Sequence, residues 1–168
     1  MTDTLAEDAD AAQPDTFWSR GGGWVITQFP LVGAAAAVSR VGPRLPALPA
    51  QAVRWPGVIL FVCGWLLHLA GVAGLGRQMT PFTKPRLNVR IEQGGAYRLV
   101  RHPIYSCVVV GVLGWALYHG RWSGLLAFVI VAVFFDQKAS SEERWLVAQT
   151  PEYPEYRARV RKLVPWVY

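Results

Sequence analysis

Acidic residues are scarce in this chain once its first fifteen positions are passed. Five of the 11 acids (Asp3, Glu7, Asp8, Asp10, Asp15) lie there, so the remainder sets 17 basic residues against six acidic ones. Charge of either sign is thin, at 17% of residues, where soluble domains carry about 25%. Cysteine is nearly absent. Cys63 and Cys107 both fall inside apolar stretches, which excludes a disulfide framework and a cysteine metal site and leaves them as small core residues. No His/Cys/carboxylate spacing resembles a zinc site. The run "RGGGW" (Arg20 to Trp24) precedes no strand, which excludes a dinucleotide-type phosphate loop. No serine–histidine pair is placed for a nucleophilic triad.

What the chain has instead is apolar length. Over its 168 residues 52% are hydrophobic, with eight tryptophans and sixteen glycines, a profile of membrane interfaces and closely packed spans. The basic residues sit beside apolar runs, so their expected counter-charge is inner-leaflet lipid, and nucleic acid is excluded as a partner. Length predicts one domain. We expect residues 1–16 to form a disordered acidic tail, whose character is the reverse of a signal peptide's basic start, and residues 17–168 to form a single membrane domain.

Four apolar segments stand out. Trp24 to Val38 contains Pro30 and the small-residue run Gly33 to Ala37, which invites close approach of another helix. Trp55 to Leu75 spans 21 residues, enough to cross a ~30 Å hydrocarbon core. It opens on Trp55-Pro56, read as an interface anchor followed by a helix-starting proline. Ile104 to Tyr118 and Trp122 to Phe135 are each shorter than the ~17 residues of an ordinary span. With "YHGRWSG" between them they predict a tight helical hairpin. The expected fold is therefore all-α, an integral membrane bundle of about four transmembrane helices. Thirteen basic residues flank one end of these segments and four (Arg40, Arg44, Arg54, Arg121) the other, which predicts cytoplasmic termini and a cytoplasmic middle connection. That connection, Gly76 to Arg101, is longer than most loops and reads as an ordered loop over a site.

Two polar clusters then fall on the same face. "YRLVRHPIY" brings Tyr97, Arg101, His102, Pro103 and Tyr105, and "SSEERWL" brings Glu142 and Glu143, followed by Tyr153, Tyr156 and Arg157. Pro103 suits a helix's first turn, where free amide donors favour negative charge. Donors at one end and carboxylates at the other match a zwitterionic ligand with a cationic centre. Adjacent Glu142 and Glu143 diverge by about 100° on a helix, so one faces a given pocket and the other caps or pairs with an arginine. His68, in mid-span, is either a functional group or a neutral histidine bonded to a neighbouring helix. His119 beside Arg121 reads as a wet interfacial residue.

The order "GGAYRLVRHPIY", helical hairpin, "EERWL", "YPEYRARVRKLVP" resembles the superfamily of isoprenylcysteine carboxyl methyltransferases and phospholipid methyltransferases, integral membrane enzymes. The resemblance runs from about Val89 to Pro165. It implies S-adenosylmethionine bound at the cytoplasmic ends of the last spans. It carries over Ile91, Glu92, Tyr97, His102, Pro103, Tyr105 and Glu143 as cofactor contacts, with no metal. It further implies in-line methyl transfer to a lipophilic or small acceptor reached from the bilayer: a prenylcysteine-like carboxylate, a lipid amine or a thiol. The sequence departs from the prenylcysteine enzymes at Ala139, where those place a substrate-binding arginine. Lys138 next door and Arg157 are the substrate-binding candidates. Two other readings stay open: a membrane reductase using a nicotinamide cofactor, and a non-enzymatic heme-binding or assembly protein using His68 and His102.

Overall fold

A computed structural model describes residues 16–45, 50–84 and 91–168. The acidic tail therefore lies almost wholly outside the described residues, as do Arg86, Arg90 and the start of the motif region at Val89. The described residues hold five α-helices and no strand: α1 (Gly22–Val38), α2 (Ala50–Leu75), α3 (Pro103–His119), α4 (Trp122–Gln149) and α5 (Tyr153–Arg159). Short 3-10 turns at Gly76–Gln78 and Gly95–Arg98 punctuate the connection between α2 and α3.

Glycine decides how α2 meets α3. Gly57, Gly64 and Gly71 recur every seventh residue along α2, and α3 lies directly over them. A methyl group at Gly57 would sit 2.6 Å from the Gly114 carbonyl oxygen, and one at Gly114 would sit 2.6 Å from the Gly57 carbonyl oxygen. At Gly64 the nearest atom would be the Cys107 carbonyl oxygen at 2.9 Å, and at Gly71 the Ile104 side chain at 3.0 Å. Backbone-to-backbone packing of this kind replaces the hydrophobic driving force that apolar helices lose in lipid. The outward face of α2 is apolar: Ile59, Trp65, Leu66 and Leu69 are each more than half exposed. On α4, Leu126 and Val133 are likewise more than half exposed. Such a surface marks a non-aqueous environment, and the chain is membrane-associated. Two helices, Ala52–Leu75 and Trp122–Gln149, are long and apolar enough to cross a membrane, while α1 and α3 are apolar helices of 17 residues each.

The hairpin is present. α3 starts at Pro103 and ends at Gly120, whose φ of 61° supplies the left-handed residue that stops a helix. α4 follows at once. It packs on α3 and α1 around Ala35, Val112, Ala127, Val131 and Phe135. Two expectations need correction. Pro56 lies inside α2, not in its first turn, since helix begins upstream at Ala50 and an apolar helix tolerates one missing amide bond. The fourth segment does not end at Phe135 with a separate segment carrying the glutamates. α4 runs unbroken for 28 residues, about 42 Å at 1.5 Å per residue, because nothing between Asp136 and Gln149 breaks a helix. Its last turns therefore extend beyond the apolar stretch and carry Glu142 and Glu143 rigidly beside α3.

Gly57→Ala is expected to destabilise the fold by about 1–3 kcal/mol through overpacking. Gly33→Ala, where a methyl meets nothing within 4 Å, should be neutral or stabilising by up to ~1 kcal/mol. Thermal unfolding in detergent followed by circular dichroism checks the pair; equal midpoints would show that α2 and α3 are not in backbone contact.

Candidate functional site

The site begins with how the chain returns to the mouth of α3. Arg101 N–H donates to the Arg161 carbonyl at 2.8 Å and His102 N–H to the Lys162 carbonyl at 3.2 Å. The Ser106 hydroxyl, in the next turn, donates to the Leu163 carbonyl at 2.7 Å. The C-terminal segment is thus laid against residues 100–102 as a short bridge. Tyr156 of α5 adds a hydroxyl bond to the Tyr97 carbonyl at 2.7 Å, and the Tyr97 ring packs on Gly74 of α2. Burial holds the phenols of Tyr97, Tyr153 and Tyr156 above the usual tyrosine range; those of Tyr97 and Tyr156 donate to backbone carbonyls.

Glu143 closes this assembly. Its Oε1 accepts from Arg101 Nε at 2.8 Å and from His102 Nε2 at 3.0 Å, and its Oε2 lies 3.4 Å from Arg157 Nε. An ionised carboxylate only accepts, so His102 presents its Nε2–H here. Arg101 also donates to the carbonyls of Arg157 and Val160. The side chains of Arg101 and Glu143 are 8% and 4% exposed, so the pair is a buried one.

One helical step away, Glu142 does something different. It accepts the Tyr105 hydroxyl at 2.7 Å and lines a cavity of about 440 Å³. The His102 and Tyr105 rings stack in this wall, 5.4 Å apart and 3° from parallel. Of the seven residues expected to contact a cofactor, Ile91, Glu92, Tyr97, His102 and Tyr105 line the cavity. Glu92 also accepts the Gly94 N–H at 2.6 Å, which folds the loop edge. Pro103 instead starts α3 and packs toward Gly71. Glu143 stands behind the wall, holding it. Of the substrate candidates, Lys138 is on the wall, its ammonium donating to Gln28 Oε1 at 2.5 Å and the Pro81 carbonyl at 3.1 Å. Arg157 is outside this cavity, on a basic surface with Arg144 and Arg161.

The chain contributes wall residues that motif spacing did not single out: Gln28, Phe29 and Val32 of α1, and Gln78, Met79, Thr80 and Pro81 of the connection. Gln28 alone left a signal, as a lone amide in an apolar run. The cavity also reaches His68, whose Nδ1 lies 3.4 Å from Cys107 Sγ. Among the described residues no group of His, Cys, Asp and Glu is placed to hold a metal.

The sequence profile of the phospholipid methyltransferase family matches residues 52–150, more than half the chain and nearly all of the α2–α4 assembly. The chain belongs to the phospholipid methyltransferase family. Its similarity extends to the cobalt-zinc-cadmium resistance protein CzcN of Cupriavidus metallidurans, 30% identical over 66% of this chain and 51% of that protein. It extends also to protein-S-isoprenylcysteine O-methyltransferase B of Arabidopsis thaliana, 29% identical over 66% and 58%. The steroid 5-alpha-reductase DET2 of Solanum lycopersicum is 30% identical over 67% of this chain and 41% of that protein. The chain thus spans about half the length of the curated relatives it matches. Within the family, the isoprenylcysteine methyltransferases share the integral-membrane methyltransferase character expected from "RHPIY" and "EERWL".

Glu143→Ala leaves Arg101 buried without its carboxylate and should cost about 3–5 kcal/mol of stability. Arg157→Ala, whose side chain is 54% exposed, should cost less than ~1 kcal/mol. Denaturant unfolding in detergent tests this, and comparable losses would mean that Glu143 is not the buried anchor.

Proposed function

We propose that this family member is an integral membrane methyltransferase of four transmembrane helices that uses S-adenosylmethionine, with its cofactor pocket on the cytoplasmic side. The observation that carries the reading is the mixed lining of the 440 Å³ cavity, a size within the ~300–1,000 Å³ of small-molecule sites. Glu92, Glu142, Arg101, His102 and tyrosine rings share its wall with Phe29, Val32, Ile104 and Val108. The donor set fits the cofactor's chemistry. Glu142 and Glu92 offer carboxylates to an ammonium, Arg101 offers a guanidinium to a carboxylate, and Tyr97, His102, Tyr105 and Tyr153 offer aromatic surface to a purine and a sulfonium.

When bound, S-adenosylmethionine supplies an electrophilic methyl group on sulfur. The protein's own residues then have a positioning role. Glu142, fixed by Tyr105, holds the cationic end, and the Glu143 network keeps His102 and Arg101 from turning away. The apolar part of the wall would receive a lipophilic acceptor from the bilayer and exclude water, holding the acceptor's oxygen, nitrogen or sulfur toward the methyl group that the cofactor would supply. Lys138 is the wall residue assigned to the acceptor's polar head.

The similarity to DET2 supports a second reading, a reductase with a nicotinamide cofactor. Both are tested in one experiment on detergent-purified protein. Labelled S-adenosylmethionine should bind saturably, reduced nicotinamide dinucleotide phosphate should not, and a prenylcysteine analogue or lipid extract should become methylated. Glu142→Gln should raise the S-adenosylmethionine dissociation constant at least about tenfold without moving the unfolding midpoint. Binding of the nicotinamide in place of S-adenosylmethionine would select the reductase. The orientation is tested by cysteine labelling. An impermeant reagent applied outside the cell should reach Val41→Cys and should miss Glu155→Cys until the membrane is opened; the opposite pattern inverts the topology.

A further inference from the structure

The end of the bundle remote from Glu143 is built of arginine without any acid. No Asp or Glu occurs from residue 16 to 91 or from 93 to 135. The α1–α2 connection and the α3–α4 turn meet there. Leu45 N–H donates to the Gly120 carbonyl at 2.9 Å and Ser123 Oγ to the Val38 carbonyl at 2.9 Å, while Arg44 and Arg121 form an isolated antiparallel bridge.

This junction encloses a cavity of about 400 Å³ lined by Arg40, Arg44, Arg54 and Arg121 together with Tyr118 and His119. The positive-inside reading assigns those same four arginines, and no other basic residue, to that side. Four like charges around one cavity repel unless a counter-charge enters. Arg40 lies 5.2 Å over the Trp115 ring and Arg54 5.0 Å over the Tyr118 ring. Both contacts orient guanidinium groups and leave them uncompensated. His119 lines the same cavity, beside Tyr118.

A second cavity of about 480 Å³ shares Arg40 with the first. It runs between α1, α2 and α3 past Trp115, Gly111, Phe61 and Trp65 to His68. A basic pocket and an apolar groove therefore meet at the Arg40 side chain.

We propose that this end of the protein is a binding site for an anionic lipid. Its phosphate or carboxylate head is held by Arg40, Arg44, Arg54 and Arg121, with His119 as a further contact, and its chain lies in the groove beside Trp115. Charge complementarity selects an anion, and the joined apolar groove selects an amphiphile over a free ion. The arginine-lined head site is separate from the cofactor residues, the groove shares Val32, His68 and Val108 with the 440 Å³ cavity, and the proposal rests only on the membrane placement.

The test measures lipid retention by native mass spectrometry of the detergent-purified chain, without turnover. Phosphatidylglycerol should be retained at least about fivefold over phosphatidylcholine. Arg44→Gln with Arg54→Gln should abolish that preference. Arg144→Gln with Arg161→Gln, on the other basic surface, should leave it intact. Inorganic phosphate at about 10 mM should not displace the lipid. If the Arg44 and Arg54 double variant does not fold, Arg44→Gln alone, at an exposed position, makes the same comparison with at least about a twofold loss expected. Unchanged preference in the Arg44 variants, or equal loss in the Arg144 and Arg161 pair, overturns the proposal. Displacement by phosphate also overturns it, showing a free-anion site.

Discussion

The carboxylate of Glu143 is the point on which the site's architecture depends. It is the one acid that Arg101, His102 and Arg157 share, and those three residues belong to the mouth of α3 and to α5. A buried charge left unpaired is costly, so each of these elements is held where Glu143 can reach it. The position of α5 then presents Tyr156 to the Tyr97 carbonyl, and Tyr97 packs against α2 at Gly74. A chain of contacts from a single carboxylate thus runs through four elements and sets one wall of the cavity.

That network depends in turn on α4 being a continuous helix. Because α4 leaves the apolar layer without a break, Glu142 and Glu143 are carried at fixed phase. Neighbours on a helix diverge by about 100°, and this difference separates one carboxylate that organises the protein from another that lines its cavity. Lys138, one turn earlier, ties the same helix to Gln28 of α1 and to the connection at Pro81. The cavity is consequently a junction of all five helices and the loop.

The opposite end has another balance. There the arginines have aromatic faces and backbone carbonyls for company but no acid, so the two ends of the bundle differ in how positive charge is compensated. At the Glu143 end compensation is intramolecular. At the Arg40 end no acid among the described residues supplies it, and the proposed lipid does.

Much of this was legible in local residues. Apolar runs located the helices, "YHGRWSG" located the hairpin turn, and Pro103 marked the start of α3, because hydropathy, Gly and Pro act over a few residues. The order of "RHPIY" and "EERWL" also placed both polar clusters at one end. Helix termini were less legible: Pro56 looked like a start and Phe135 like an end, since a proline inside an apolar helix and a polar extension of a span carry no local stop signal. Local residues sufficed for the helical class and the family. Only the tertiary structure decided that Glu143 faces Arg101 while Glu142 faces the cavity, that Pro103 and Arg157 stand off its wall, and that Gln28 joins it. The physical reason is that those outcomes depend on helix phase and on the close approach of α2 to α3 through Gly57 and Gly114, relations among residues far apart in the chain.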